Sequence, residues 1–339
     1  MPTIKDVARA ANLSVTTASR ALNNHGDVAS STRALVVQVA SDLGYHPNHA
    51  ARSLQGTFTA TIGLVIPRLV HRYVDSFWLE FIGGASAACA DAGFDLLLSS
   101  GDDLSAEHAH YQRLIRTRRV DGVILCDIRV RDPRLTFLRA RAASFVTFGR
   151  ALGDDHYSWV DVDGAAGVRL AVQHLLALGH RRIAFLGTAR DYSFSHFRFE
   201  GYQDALLAAA IPCDDTLIVQ DLAVGADLDA PLARMLALPE PPTAIIACAD
   251  FLAASALSTL RRLGQCVPDD LSLVAFDDTL VTQHAEPPLT TLRQDNHAIG
   301  TAVAGLLIRQ LREPDRAPEH TLLQPELIVR RSSSRVASR

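Results

Sequence analysis

Residues 3–22 read TIKDVARAANLSVTTASRAL, and their apolar residues are spaced as in two short helices with a break between them. The first predicted helix starts after Thr3, a good N-cap residue, and its apolar face is formed by Ile4, Val7, Ala8 and Ala11. The second helix is predicted over residues 15–22, with Ser14 as its N-cap. Two short helices joined by a tight turn are typical of a helix-turn-helix, whose second helix enters the major groove of DNA. The alternative is an ordinary helical hairpin with one polar face.

The polar side chains of the second helix fit the first interpretation. Arg20 can pair bidentately with O6 and N7 of guanine, and Thr16 can reach a base edge or a thymine methyl group. Phosphate contacts, which position a protein without reading sequence, suit Thr17, Ser19 and Asn23. Residues 1–60 carry five basic and three acidic side chains, a charge of +2, whereas the rest of the chain carries −6 of the total of −4. A mildly basic head on an acidic body favours a small DNA-facing module.

A third helix is predicted from Ser31 to Leu43, ending at Gly44. Its apolar side consists of Leu35, Val36, Val39, Ala40 and Leu43. Pro47 prevents the helix from continuing, and Asn48 can cap a short new helix over residues 49–55. Because seven residues are too few for a stable isolated helix, we expect this segment to become ordered only when a partner holds it.

The first 56 residues resemble the LacI/GalR family of transcriptional regulators at constant register. The matching stretches are TIKDVA (residues 3–8), LSV (13–15), SRALN (19–23), TR (32–33), LGYHPN (43–48) and ARSL (51–54). The resemblance implies that Val15, Thr16 and Arg20 read bases and that Leu54 wedges into the minor groove at the operator centre, bending the duplex. It also assigns the DNA-binding surface Thr3, Tyr45, Asn48, Ala51 and Arg52. The chain departs from the family at Ala18, where a valine is usual, and at Ala29, where a serine cap is usual; Ser30 or Ser31 is expected to replace that cap.

The remaining residues alternate short apolar strands with amphipathic helices. The predicted strands cover residues 62–66, 95–98, 123–126, 145–148, 183–186, 244–248 and 271–276. The predicted helices include residues 77–92, 106–117, 164–177, 197–209, 250–263 and 298–312. This alternation indicates parallel sheets covered on both faces, and about 280 residues are too many for one open sheet. The predicted fold class is therefore α/β, with a small all-α helix-turn-helix head and a core of two doubly wound lobes.

Composition and motifs disfavour several other classes of protein. No apolar run approaches the ~18 residues of a transmembrane helix, and the N-terminus has no signal-peptide core. The five scattered cysteines indicate reduced thiols and a cytoplasmic location. We find no dinucleotide, phosphate-loop, zinc-protease or nucleophile-elbow motif, so an enzyme is the weaker interpretation, with no cofactor or metal predicted.

The resemblance continues through the body, in stretches such as IGLVIP (residues 62–67), VDGVI (120–124), LGHRRIA (178–184) and FDD (276–278). It implies a core like that of periplasmic sugar-binding proteins, with two lobes joined by three crossovers. The resemblance implies that Phe77 and Trp78 pack against a bound effector and that Arg198 binds effector oxygens. It also implies that Asp250 and Asp277 accept hydrogen bonds from effector hydroxyls. Gln294 matches a family position at a crossover, and Arg150 is a further candidate. The alternative to effector contact is that Phe77 and Trp78 pack in the core as a pair at the start of a helix. For Arg198 the alternative is a salt bridge on the surface.

The sequence thus predicts a head over residues 1–46, a hinge and linker over 47–58 and an effector-binding core over 59–339. Lobe 1 is expected over residues 60–160 and 293–322, and lobe 2 over 161–292 and 323–339. The predicted function is that of a homodimeric regulator, a repressor, that binds a palindromic DNA operator under the control of a small molecule, with a sugar favoured. A purine or another metabolite remains an alternative effector. A solute-binding protein without a DNA function, or an enzyme on the same fold, is an alternative to the regulator.

Overall fold

A computed structural model of the chain describes residues 2–22, 27–45, 58–67, 76–101 and 104–336. These residues form two compact units, one within Met1–Thr59 and the other within Ala60–Arg339. None of the helices in the described ranges is long and apolar enough to cross a bilayer.

The described part of the first unit contains three helices, α1 (Ile4–Ala10), α2 (Val15–Leu22) and α3 (Ser30–Asp42). α1 starts after Thr3, whose backbone N–H and hydroxyl donate to the Asp6 carboxylate at 2.9 and 2.7 Å. These hydrogen bonds lower the pKa of Asp6. α2 starts after Ser14, whose Oγ accepts the backbone N–H of Thr17 at 3.0 Å. Both predicted N-caps are confirmed, and each one fixes the first turn of its helix.

The core of this unit is made of small residues, which lets short helices pack closely. Its buried members are Val7, Ala8, Ala11, Ala18, Ala21, Val36 and Ala40. The prediction for α3 is wrong in two respects. Leu35 and Leu43 are 48% and 40% exposed, because two short helices cover only a narrow stripe of α3. Ala29 occupies the N-cap position without a side-chain hydrogen bond, so neither Ser30 nor Ser31 replaces the expected cap.

Lobe 1 of the second unit is built on a six-stranded parallel sheet in the order β11-β5-β4-β3-β1-β2. Its strands are β1 (Thr61–Pro67), β2 (Asp95–Gly101), β3 (Gly122–Leu125), β4 (Ser144–Phe148), β5 (Trp159–Val162) and β11 (His320–Leu323). Its helices are α4 (Ser76–Ala92), α5 (Leu104–Arg116), α6 (Pro133–Ala140) and α12 (Asn296–Arg312). α4 and α12 cross at two glycines. A Cβ on Gly84 would lie 2.0 Å from the His297 carbonyl oxygen, and one on Gly300 would lie 2.0 Å from the Phe81 carbonyl oxygen.

Lobe 2 has a second six-stranded sheet, in the order β12-β10-β9-β8-β6-β7, in which β12 runs antiparallel to β10 and the other pairs are parallel. Its strands are β6 (Ile183–Leu186), β7 (Ile218–Val219), β8 (Ala244–Ala247), β9 (Ser272–Asp277), β10 (Thr290–Arg293) and β12 (Glu326–Ile328). Its helices are α7 (Gly164–Ala177), α8 (Ser193–Ala208), α9 (Asp229–Leu236), α10 (Asp250–Arg262) and α11 (Leu280–Gln283). Here α7 and α8 cross at Gly201, where a Cβ would lie 2.3 Å from the Ala165 carbonyl oxygen.

The chain passes between the lobes three times, from β5 to α7, from β10 to α12 and from β11 to β12. The predicted fold class, a helical head with a two-lobed parallel core, is confirmed. All seven predicted strands correspond to observed ones. The prediction did not include β5, β7, β10, β11 and β12, which are only two to four residues long. All of these strands except β7 also contain polar or charged residues.

Candidate functional site

The exposed face of α2 carries the head residues that the sequence assigned to DNA. Val15, Thr16 and Arg20 are exposed on this face. Thr17 and Ser19 are half-buried, and the Thr17 hydroxyl lies 2.8 Å from the Ser14 hydroxyl. An exposed helix face with short polar side chains and one arginine is what major-groove recognition requires.

The other predicted DNA contacts fall into two groups. Thr3 is exposed, and its hydroxyl is engaged by Asp6, while Tyr45 is half-buried and packs against the core of the head. Five of the predicted DNA-contact residues lie outside the described ranges: Asn23, Asn48, Ala51, Arg52 and Leu54. Residues 47–57 of the predicted hinge lie outside those ranges as well.

A cavity of about 750 Å³ lies between the two lobes of the second unit. Residues at or just after the ends of several strands line it, among them Asp127, Phe148, Val162, Thr188 and Asp277. The carboxyl ends of strands in paired α/β lobes are the usual place for a ligand. Six of the seven residues predicted to contact an effector line this cavity: Phe77, Trp78, Arg198, Asp250, Asp277 and Gln294.

Lobe 1 contributes an aromatic wall. The ring of Phe77 lies 5.9 Å from that of Phe148 and 5.3 Å from that of Trp78, measured between centroids, and all three side chains line the cavity. Behind them, Phe81 packs against Phe77 at 6.1 Å and is fully buried. Phe77 and Trp78 thus belong to the lobe core and also face the cavity, so the two interpretations of this pair are compatible.

Lobe 2 contributes a polar wall that is centred on Arg198. This arginine is only 6% exposed, so the surface salt bridge is excluded as its interpretation. Its Nη1 donates to the carbonyl oxygen of Cys248, and its Nη2 lies 3.4 Å from Oδ1 of Asp277. The same Oδ1 accepts a hydrogen bond from Nε2 of Gln294 at 2.7 Å, which ties the crossover to β9.

Asp250 is the first residue of α10 and is 4% exposed. Its Oδ2 accepts hydrogen bonds from the backbone N–H and hydroxyl of Thr279, at 2.6 and 2.7 Å, and from the Thr282 hydroxyl at 3.3 Å. Burial, together with the nearby charge of Asp277, raises the pKa of Asp250 well above its ordinary value. Since three donors converge on Oδ2, Oδ1 is the oxygen left for another partner.

Four buried polar atoms of lining residues have no hydrogen-bond partner within the described part of the chain. They are Ser193 Oγ, Arg198 Nε, Asp250 Oδ1 and Gln294 Oε1. A buried polar group without a partner costs about 1–3 kcal/mol, so native proteins rarely leave several together. Their concentration around one cavity indicates a site for a molecule with several hydrogen-bonding groups.

Arg150 does not line the cavity, although it was predicted to contact an effector. Its guanidinium lies 5.4 Å from the Trp159 ring and 4.3 Å from the Phe197 ring, and 3.5 Å from Oδ2 of Asp161. Phe197 and Asp161 do line the cavity, so Arg150 supports the wall from behind. Burial raises the pKa of Asp161 to about 6, against the opposing charge of Arg150.

Sequence reasoning missed four lining aspartates, Asp127, Asp161, Asp221 and Asp227. Asp127 and Asp221 follow buried or half-buried strands and have positive φ angles of 51° and 61°, a conformation that aspartate tolerates better than most residues. Asp277 directly follows the predicted strand over residues 271–276, and Asp127 follows the predicted strand over residues 123–126 in the same way. No sequence signal marked the lining loop over residues 221–228. Among the described residues, no group of three potential ligands is placed to hold a metal ion.

The lobes also contact each other through a short antiparallel bridge. The backbone N–H of Val130 donates to the Asp191 carbonyl oxygen, and that of Ser193 donates to the Ile128 carbonyl oxygen, both at 2.8 Å. The Arg129 guanidinium pairs with the Asp191 carboxylate. We call residues 128–130 and 191–193 the interlobe bridge. Ile128 and Ser193 line the cavity as well, so the bridge forms part of its wall.

A buried ion network anchors the lobe 1 side of this bridge. Arg134 is 2% exposed and donates to Asp132, to Glu107 at 3.0 Å and to the carbonyl oxygens of Cys126 and Asp127. Asp132 also accepts the backbone N–H of Arg129 at 3.2 Å. Burial raises the pKa of Glu107 to about 7 although Arg134 opposes the shift.

Comparison with known proteins agrees with this two-part architecture. Residues 3–48 match the model described as bacterial regulatory proteins, lacI family, and residues 172–333 match the periplasmic binding protein-like domain. The chain is 33% identical to the HTH-type transcriptional regulator CelR of Thermobifida fusca, over 98% of each protein. The chain belongs to the LacI family.

Further similarities extend over the full chain. This LacI-family protein is 31% identical to the HTH-type transcriptional repressor CytR of Escherichia coli strain K12, over 98% of the chain and 96% of CytR. Its structure is similar to that of a transcriptional regulator CelR–cellobiose complex, with a TM-score of 0.75 and 32% identity over 98% of this chain and 100% of that one. The protein is accordingly a DNA-binding transcriptional regulator.

Proposed function

We propose that this LacI-family regulator is a repressor whose affinity for its operator is controlled by a carbohydrate bound between the lobes. The observation that carries the proposal is the pairing of an aromatic wall with four buried, unpartnered polar atoms around one cavity. A sugar ring has an apolar C–H face that packs on aromatic rings, and hydroxyls that both donate and accept. The similar CelR structure is described as a complex with cellobiose, which supports the same class of ligand.

The free atoms of lobe 2 match hydroxyl groups in number and character. Oε1 of Gln294 accepts hydrogen bonds, because the Gln294 amide nitrogen is engaged by Asp277. Nε of Arg198 donates. A purine ring would also stack on Phe77, and it is the alternative ligand that the experiment must separate from a sugar.

On the DNA side, we assign base reading to Val15, Thr16 and Arg20, and phosphate contacts to Thr17 and Ser19. A palindromic operator requires two heads related by a two-fold axis, so the active species is a homodimer. Residues 47–58 are proposed as a hinge that orders on DNA, with Leu54 as the minor-groove wedge. A ligand can change operator affinity only if it binds one arrangement of the lobes more tightly than another. The size of the change is limited by that difference in ligand affinity. The cleft is proposed to bind its ligand without catalysis, and the protein is proposed to act in the cytoplasm.

The class of ligand is tested by thermal shift and calorimetry on the full-length protein with a panel of neutral mono- and disaccharides, their phosphate esters and nucleosides. We expect neutral sugars to raise the melting temperature and to change the affinity for operator DNA. Binding of nucleosides without binding of any sugar would contradict the proposed class of effector. Binding of a sugar with no effect on DNA affinity would contradict the proposed control.

A matched pair of serines on α8 tests the site itself. Ser193→Ala removes an unpartnered buried hydroxyl, so we expect unchanged or slightly higher stability and an affinity for sugar about 5- to 30-fold lower. Ser195→Ala removes a hydroxyl that donates to the Thr188 carbonyl oxygen at 3.1 Å, so we expect stability about 1 kcal/mol lower with affinity nearly unchanged. The opposite pattern would place the ligand elsewhere.

A further inference from the structure

The head contains an ion pair on its DNA-facing helix that the proposed function does not use. Nη2 of Arg20 contacts Oδ2 of Asp27, and the two side chains are 47% and 55% exposed. Asp27 lies three residues before the start of α3, whereas Arg20 lies in the last turn of α2. The pair therefore joins the proposed reading helix to a residue just ahead of the next helix.

Residues 28 and 29, which directly follow Asp27, are held in place by contacts within the head. Val28 packs against the core of the head, and its carbonyl oxygen accepts a hydrogen bond from Nη2 of Arg33 at 3.4 Å. Ala29 is the N-cap residue of α3, and its carbonyl oxygen accepts the Arg33 backbone N–H at 3.0 Å. The carboxylate of Asp27 is thus attached to a fixed part of the head and can hold a flexible side chain that reaches it.

We propose that Asp27 is a positioning residue for Arg20 and thereby sets how strictly the head selects one base pair. This inference rests on the proposed role of Arg20 in base reading. An arginine side chain has about 2 kcal/mol of rotamer entropy, and bidentate recognition of guanine needs the guanidinium plane fixed in the plane of the base. One carboxylate contact at Nη2 leaves the other N–H groups of the fork for O6 and N7. Because both side chains remain about half exposed, the pair forms without removing Arg20 from the surface.

The carboxylate of Asp27 also disfavours contacts between Arg20 and DNA phosphates. A free arginine near DNA binds any phosphate within reach, which adds affinity without selectivity. Asp27 repels phosphates, and it holds Arg20 in one orientation. Removing the carboxylate is therefore expected to raise the affinity for DNA in general and to lower the discrimination at one base pair.

The test uses the full-length protein and a library of palindromic duplexes with randomised half-sites. Selection with the unmodified protein yields a consensus, and Arg20→Ala identifies the base pair whose discrimination depends on Arg20. Discrimination is the ratio of the dissociation constants of the substituted and consensus duplexes at one fixed salt concentration, so a general change in charge cancels. Asp27→Asn is compared with Asp42→Asn, which removes an equal charge from the exposed last residue of α3.

We expect Asp27→Asn to lower the ratio at the Arg20-dependent base pair by about three- to fivefold, as for an exposed ion pair, and to leave the other positions within about twofold. In the Arg20→Ala background, Asp27→Asn should have no further effect on that ratio. The proposal would be overturned if Asp27→Asn left the ratio unchanged or lowered it equally at all positions. It would also be overturned if Asp42→Asn lowered the ratio as much as Asp27→Asn does. If the unmodified protein selects no consensus at all, the proposed function of the head fails first, and the two failures are thereby distinguished.

Discussion

The two lobes have similar sheets but contribute different groups to the cavity. Lobe 1 presents the packed rings of Phe77, Trp78 and Phe148, and lobe 2 presents the buried polar atoms of Arg198 and Asp250. Each lobe also adds lining groups of the other kind, aspartates from lobe 1 and phenylalanines from lobe 2. A ligand that packs on the rings of lobe 1 and bonds to the polar atoms of lobe 2 contacts both lobes, so its binding free energy depends on the angle between them.

The lobes also differ in how their helices pack, and this gives the largest expected effect. α4 and α12 of lobe 1 cross with a glycine on each helix, whereas α7 and α8 of lobe 2 cross at Gly201. Gly84→Ala would bring a methyl group against the His297 backbone, so we expect unfolding free energy to fall by about 3 kcal/mol or more. Urea or thermal denaturation measures the change.

The neighbouring glycine is the control for this prediction. A Cβ on Gly83 would lie 3.9 Å from its nearest neighbour, Cδ2 of His297, which is an ordinary contact. Gly83→Ala should therefore leave stability unchanged or raise it slightly, because alanine favours the helix more than glycine does. Similar losses from both substitutions would mean that helix crossing is not what limits position 84.

The second prediction compares the polar and aromatic walls directly. Arg198→Lys keeps a charge but loses the planar fork, so we expect sugar affinity to fall about 100-fold, whereas Phe77→Leu should cost about tenfold. Isothermal calorimetry measures both changes. Arg169→Lys, at an exposed ion pair with Asp204 on α8, is the control and should change affinity less than twofold. A greater loss from Phe77→Leu than from Arg198→Lys would reverse the ranking of the two walls.

The smallest expected effect concerns the pH dependence of lobe 1. The pKa of Glu107 is about 7 in the folded protein, above its ordinary value of 4.5, so the folded state binds this proton more tightly. Its contribution to stability is present below about pH 4.5 and is lost as the pH rises through about 7. We expect Glu107→Gln to reduce the fall in unfolding free energy between about pH 5 and pH 8 by about 1–2 kcal/mol.

Urea denaturation at the two pH values checks this expectation. Glu200→Gln, at an exposed position on α8, is the matched control and should leave the pH dependence as it is in the unmodified protein. An unchanged slope in Glu107→Gln would show that the buried network of lobe 1 does not carry the pH dependence.

The head was predictable because its signals are local. Thr3 and Ser14 act within three residues of themselves, and the apolar spacing that predicts α1 and α2 repeats within one or two turns. The exposure of Leu35 was not predictable, because it depends on how much of α3 the other two helices cover. The exposure of such a residue can be derived only from the tertiary structure.

The cavity was predictable only where family resemblance or a strand end marked a residue. Asp277 is the last residue of a buried strand and was identified, whereas Asp127, two residues after a buried strand, was missed. Arg150 was assigned to the ligand because it follows β4, yet Phe197, from another lobe and 47 positions later, covers its guanidinium. Contacts between residues this far apart are not encoded in any short stretch of sequence.

The interlobe bridge links the wall of the cavity to the geometry of the two lobes. Ile128 and Ser193 supply one of its two backbone hydrogen bonds, Ser193 as donor and Ile128 as acceptor, and they also line the cavity. A rotation of one lobe against the other at this point therefore strains a hydrogen bond that belongs to the wall of the cavity. The same two residues thus shape the ligand site and hold the lobes together.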